Sequence, residues 1–399
     1  MATGARSFGL LGAVVGAGAA LTVAVVLQML PALGVGGDPA NRVREADEAL
    51  LLARTPADLE AAAQSARSAL ASAPLTARAV TILAQTREQQ GRSGEVEPLM
   101  RMAARLSHRE DVPDLWLFDR ALRARRYDEA FIRADAVLRR DELRHRRLFP
   151  VLHQAAIDPA AVKPLAARLA LRPAWREFFF HSLFYGQAMP GFVYPLFEAM
   201  EEAGSPPAKV ELEGYLIALA RNERYEQAYL TWLLSMSPQA LGRMQYVYDG
   251  AFNGEPAVAP FGWQLRGSAG GNAVMEEGPG GGRSLLINSD GYTAATFAEQ
   301  LLVLPPGAYR LSGRIRAPAN AAAGELGWTL TCRPASQPLL SAKAQPTQDQ
   351  WRRFTADFSV PAGCPAQMLS LNSTAGERRT SMTVWFDDIA VDAAEAGRP

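Results

Sequence analysis

Two periodicities divide the chain. From residue 39 to about residue 240, apolar side chains recur three and four apart, the spacing of amphipathic helices, with short breaks at Pro and Gly. Thr55-Pro56-Ala57-Asp58 predicts a helix start: Thr55 caps, Pro56 suits the first turn, and Asp58 completes a capping-box-like pattern. This helix runs to Ala73 and stops at Pro74, a second spans about Leu75 to Gln90 before Gly91, and a third begins near Gly94. Near Tyr246 the period changes to two. Tyr309, Leu311 and Ile315 alternate with Arg310, Ser312, Arg314 and Arg316. Leu326, Trp328, Leu330 and Cys332 share one face of another strand, and Met382, Val384 and Phe386 one face of the last. Several such strands between Gly- and Pro-rich turns predict an antiparallel β-sandwich or jelly roll.

The first 37 residues follow neither pattern. No charge falls between Arg6 and Asp38, and Phe8 to Met29 is apolar apart from Thr22 and Gln28. At ~1.5 Å per residue that stretch reaches about the ~30 Å of a bilayer's hydrocarbon core. It is longer than the ~7–15 apolar residues of a cleavable signal, although Ala32-Leu33-Gly34 offers small residues for cleavage. Gly12, Gly16, Ala20 and Ala24 lie on one face at the spacing that lets two helices approach, so a homodimer through this segment is an expectation. The expected fold class is multidomain α + β: an N-terminal transmembrane anchor over 1–37, an α-helical repeat region over 38–240, and a C-terminal antiparallel sandwich over 246–392.

Charge and cysteine narrow the picture further. Lys and Arg total 41 and Asp and Glu 41, so the chain lacks the positive excess of a nucleic-acid binder. The Arg-rich run from Arg139 to Arg147 is interrupted by Asp141 and Glu142 and reads as an ion-paired helix face. Arg6 on one side of the apolar segment and Arg42, Arg44 and Arg54 on the other do not orient it. The two cysteines, Cys332 and Cys364, both fall in the sandwich. A disulfide there implies an oxidising compartment, the alternative being two separate buried thiols. The expected location is a single pass through the inner membrane with the bulk of the chain in the periplasm.

No catalytic constellation is present, and the chain is expected not to be an enzyme. His108, His145, His153 and His181 have no metal-ligand spacing, and the Gly278–Gly282 run lacks the Lys-Ser/Thr of a phosphate loop. Asp387 and Asp388 are adjacent on a strand, so their side chains are expected on opposite faces rather than as a carboxylate pair.

Two resemblances follow from these residues. Pro74, Ala79, Leu83, Gly91 and Ala103, with the echo of Arg126-Tyr127-Asp128-Glu129-Ala130-Phe131 in Arg224-Tyr225-Glu226-Gln227-Ala228-Tyr229, resemble degenerate tetratricopeptide repeats over about 57–141 and 206–236. That implies a groove holding a protein partner. In the C-terminal region, Gly262-Trp263, Leu304-Pro305-Pro306-Gly307-Ala308-Tyr309, Trp351 ahead of Phe358-Ser359-Val360-Pro361, and Val384-Trp385-Phe386-Asp387-Asp388-Ile389 are similar to the galactose-binding-like jelly roll of bacterial carbohydrate-binding modules. Such modules stack sugars on exposed aromatics. Trp385, in phase with Thr383 and Asp387 and opposite Phe386, is the exposed candidate; Tyr292, Asn372 and Arg314 are further ones. Trp328 is read as core, as are Trp263 and Trp351, which match structural positions of the family. Relatives hold a structural calcium between an early acid and the closing Asp pair; Glu255 and Asp388 match those places, with Asp388 as a loop cap the alternative. No other cofactor is expected. The functional expectation is a membrane-anchored envelope scaffold that holds a protein partner and a polysaccharide, in polysaccharide assembly or export. The alternative is a protein-only assembly factor whose sandwich is another protein-binding surface.

Overall fold

The structure is a computed structural model that describes residues 38–107, 109–186, 190–242, 244–254, 257–279, 281–319 and 326–394. Thirteen α-helices are seen among the described residues: α1 (Pro39–Leu52), α2 (Pro56–Ser72), α3 (Ala77–Gln89), α4 (Ser93–Leu106), α5 (Asp111–Arg123), α6 (Tyr127–Leu138), α7 (His145–Ala155), α8 (Pro159–Ala170), α9 (Arg176–Phe184), α10 (Val193–Glu202), α11 (Lys209–Arg221), α12 (Tyr225–Leu234) and α13 (Pro238–Leu241). Eleven strands follow: β1 (Gln264–Leu265), β2 (Gly267–Ser268), β3 (Gly271–Glu277), β4 (Arg283–Ser289), β5 (Ala295–Leu302), β6 (Gly307–Arg316), β7 (Leu326–Arg333), β8 (Pro338–Lys343), β9 (Arg352–Val360), β10 (Ala366–Ser373) and β11 (Met382–Ala393). The chain divides into two compact units, 1–176 with 195–205, and 177–194 with 206–399.

In the first unit the helices pack mainly on their neighbours in sequence, α1 on α2, α3 on α4, α5 on α6, as short connections dictate. The Thr55–Asp58 box closes in both directions: Thr55 Oγ1 accepts the Asp58 amide at 3.2 Å, and Asp58 Oδ2 accepts the Thr55 amide at 2.8 Å. Ala62, Ala63, Ala66 and Ala69 are fully buried on α2, where small side chains let a neighbouring backbone approach. The register of hairpins breaks after α6, which packs more extensively on α8 than on α7. The Arg-rich run is ion-paired: Arg139 with Asp135, Arg140 with Asp111 and Asp114, Arg144 with Asp111 and Asp141.

In the second unit, α11 and α12 pair with each other, and α12 seats Trp232 on Phe261 with ring centroids 5.1 Å apart. The strands form two antiparallel sheets, one in the order β1-β5-β10-β7-β8 (the five-stranded sheet) and one in the order β2-β3-β4-β11-β6-β9 (the six-stranded sheet). Their inner faces enclose one core, with Phe252, Phe297, Trp328 and Phe386 among its largest fully buried side chains. Cys332 on β7 and Cys364, just ahead of β10, are joined as a disulfide. The edge strand β8 begins with Pro338 and ends with Lys343, while β9 is a long edge.

Two expectations need correction. No helix among the described residues is long and apolar enough to cross a membrane. The longest, α2, has 17 residues against the ~20 a span requires, and its sequence carries charge along its length. The fold class is therefore helices followed by a β-sandwich, without a described transmembrane element, and the single-pass inner-membrane and periplasmic placement is withdrawn with it. The anchor expected over 1–37, and the homodimer expected through Gly12, Gly16, Ala20 and Ala24, lie outside the described residues.

Candidate functional site

The outer face of the six-stranded sheet carries the site. Along β11, Met382, Val384 and Phe386 are buried while Thr383 and Trp385 point outward. Trp385 is half-buried. Its register partners are Leu286 on β4 and Arg316 on β6. Leu286, although on the outward face, is only 7 % exposed, so an apolar floor lies directly beside the indole. One pair further along, Thr383 Oγ1 donates to Asn288 Oδ1 at 3.1 Å. The side chains of Arg316, and of Arg353 on β9, have no hydrogen bond or ion pair among the described residues. The face therefore presents an aromatic ring, an amide–hydroxyl pair and two uncommitted guanidiniums.

Next to this platform, Arg314 is fully committed. Its Nη2 donates to Asp387 Oδ2 at 2.7 Å, its Nε lies 2.7 Å from Asp388 Oδ2 without hydrogen-bond alignment, and its guanidinium stacks 5.2 Å from the centre of the Trp351 ring. Asp387 is 6 % exposed, and burial raises its carboxyl above the usual carboxylate range. Here the expectation that Asp387 and Asp388 face opposite ways fails. Strand pairing slips between Asp387 and Ala390, and Asp388 adopts φ 52°, so both carboxylates reach the same guanidinium. The slip is fastened from outside by the Ile389 amide, which donates to Gly250 O at 2.8 Å. A Cβ on Gly250 would come within 1.7 Å of Ile389 O, so the approach requires glycine.

The β3–β4 loop folds back over this pair. A Cβ on Gly278 would stand 2.4 Å from Ser284 Oγ, and the Pro279 carbonyl accepts the Trp351 indole N–H at 2.7 Å. Gly278 and Pro279, in the connection between β3 and β4, thus lie beside Ser284, the outward neighbour of Asp387, and Trp351. Trp351, expected in the core, is instead half-buried on the outer face, because it precedes β9 in the outward phase and its polar edge needs the Pro279 carbonyl. Trp263 and Trp328 do pack in the core, 5.6 Å apart.

The remaining predicted residues fall elsewhere. Asn372 is on the outer face of the five-stranded sheet, where Thr296 donates to its Oδ1 at 2.8 Å and its Nδ2 donates to Thr329 at 2.7 Å. Tyr292 is exposed in the β4–β5 turn, with Arg379 5.7 Å from its ring centre. The turn is held by Asp290, which accepts the Tyr292 and Thr293 amides at 2.9 Å; these bonds lower its pKa. The structure therefore brings Trp385, Arg314 and Asp388 to one sheet face and separates them from Tyr292 and Asn372. Glu255 lies outside the described residues, and Asp388 is engaged by Arg314, so the pair expected to hold calcium is not assembled by what is described. Among the described residues no group of three or more His, Cys, Asp or Glu is placed to hold a metal ion. Sequence reasoning missed Arg316, Arg353 and the Asn288–Thr383 pair. Outward alternation already put Arg316 in phase with Arg314; the pairing of β4 with β11, distant in sequence, left no signal.

No family model matches the sequence, and no curated protein matches it. Among solved structures the chain is similar to a family 4 carbohydrate-binding module (16 % identity, TM-score 0.29, covering 37 % of this chain and 99 % of that one). It is similar to a family 61 module in complex with β-1,4-galactotriose (13 %, TM-score 0.27, 38 % and 99 %). The third is the CBM22-1 xylan-binding domain of Paenibacillus barcinonensis Xyn10C (17 %, TM-score 0.28, 37 % and 94 %).

Proposed function

We propose that this chain is a non-catalytic binding protein whose sandwich takes a glycan on the outer face of the six-stranded sheet, while its helical hairpins hold a protein partner. The carrying observation is Trp385, half-buried between Leu286 and the uncommitted Arg316. A pyranose ring offers C–H groups for the indole and hydroxyls for donors at its rim, and this face supplies both. The protein-partner half rests on the resemblance of the α3–α4 and α5–α6 hairpins to tetratricopeptide units, whose stacks present a concave surface.

Affinity electrophoresis of the full chain against a panel of neutral and acidic polysaccharides tests the glycan half. Retardation by at least one of them is expected, with Trp385→Ala weakening it about tenfold, the worth of one well-stacked ring. Retardation unchanged by the substitution would move the site off this face. No retardation by any polysaccharide, from protein with an unaltered circular dichroism spectrum, would leave the sandwich a protein-binding surface.

A further inference from the structure

Apart from the Trp385 face, a cavity of about 150 Å³ opens between the two sheets on their β8–β9 side. Ile315, Trp328, Phe354 and Phe386 line it from within, and Ala342 and Ala344 from the β8 side. An apolar cavity of that size admits a benzene-sized ring. One buried polar group in its wall is unsatisfied: Trp328 is 1 % exposed, and its indole N–H has no hydrogen-bond partner among the described residues. A buried donor in that condition carries an uncompensated desolvation cost that an acceptor would relieve. The polar hydroxyl nearby is already occupied, since Thr347 Oγ1 accepts the Ala317 amide at 2.8 Å and donates to Ala317 O at 3.1 Å.

The lining also includes Lys343 and Arg352, both exposed and neither side chain with an ion pair or hydrogen bond among the described residues. Arg310 and Arg314 on β6, by contrast, are paired with Asp357 and Asp387. Two unneutralised cations at an apolar cavity with a spare donor make a site for a negative charge attached to a ring.

We propose that this cavity binds a single ring-sized carboxylate. The ring packs against Ile315, Phe354 and Phe386, the carboxylate meets Arg352 and Lys343, and a ring oxygen or hydroxyl accepts from Trp328 Nε1. The inference rests on the glycan reading in one respect, since an acidic polysaccharide would supply such a group as a uronate residue; a free cycloalkyl carboxylic acid shares the chemistry.

The test is a titration of the full chain, ¹⁵N-labelled at tryptophan, with the Trp328 indole resonance identified by its loss in Trp328→Phe. The probes are glucuronate, glucose and cyclohexanecarboxylate. Glucuronate is expected to shift the Trp328 resonance saturably and glucose not, with Arg352→Gln/Lys343→Gln weakening the effect tenfold or more and Trp385→Ala leaving it unchanged. Equal shifts from glucose and glucuronate would overturn the carboxylate recognition. A still Trp328 resonance with both acids would overturn the pocket altogether, and if Trp385-dependent retardation on a polysaccharide persisted, the glycan reading would stand without it. A response to cyclohexanecarboxylate alone would keep the pocket and cut its link to glycan.

Discussion

Burial holds the Asp249 carboxyl above its ordinary value of 3.8, with the Gly254 amide donating to Oδ1 at 2.8 Å in partial compensation. A carboxyl raised in the folded state binds its proton more tightly there than in the unfolded chain. Its charge therefore costs stability at neutral pH, and stability recovers as pH falls through the raised value toward 3.8. Asp249→Asn keeps an acceptor for Gly254 and removes the charge. The expected outcome is a higher thermal midpoint at pH 7, the gain shrinking toward pH 4, read by calorimetry at both. A lower midpoint at pH 7 would show that a cation neutralises this group in solution. Individual side chains divide sharply in how legible they were. Trp385 could be placed outward because strand alternation is local and strict. Asp388 could not, because one residue of strand slippage reverses a side chain, and that slippage depends on Gly250, more than a hundred residues away.

Among elements, the helix boundaries were the most readable. Thr55 and Asp58 cap α2 as their spacing implies, and the two Arg-Tyr motifs open α6 and α12 at Tyr127 and Tyr225. Which face each helix buries was less readable, since α12 is apolar nearly all round. Its partner is the segment ahead of β1: Trp232 is 3 % exposed, stacks on Phe261, and meets Tyr248 edge-on at 5.5 Å. Trp232→Ala removes that contact and leaves a cavity, so a loss of about 3–5 kcal/mol is expected for the second unit. Chemical denaturation followed through near-ultraviolet circular dichroism measures it. A loss below about 1 kcal/mol would mean that α12 is held by other contacts.

Across the whole molecule, the switch from helical to strand period near residue 246 was visible because it changes the spacing of every apolar position. The division into compact units was not, because it groups α11 and α12 with the sandwich on the strength of tertiary packing. Cysteine usage bears on the same scale. The Cys332–Cys364 disulfide ties residues 32 apart in sequence, a loop whose closure in the unfolded chain is worth about 3–4 kcal/mol. Reduction, or Cys332→Ser with Cys364→Ser, is expected to lower the sandwich's thermal midpoint by about 10 °C while the fold persists. An unchanged midpoint would place the constraint in the strand pairing of β7 with β10 alone.

The open edge formed by β9 has a further effect. The ends of the five-stranded sheet are the two-residue β1 and the proline-headed β8, and β2 at one end of the other sheet is equally short. Among the described strands that leaves β9, nine residues long, as the edge on which a second chain could pair. Arg352, Arg353 and Asp357 stand exposed along it, and charges in that position discourage a neighbour's backbone from docking. The guanidiniums assigned here to ligand recognition therefore also keep copies of the chain apart. Neutralising them should raise light scattering at high protein concentration, and a saturating anion would have the opposite tendency only if it left the edge itself charged.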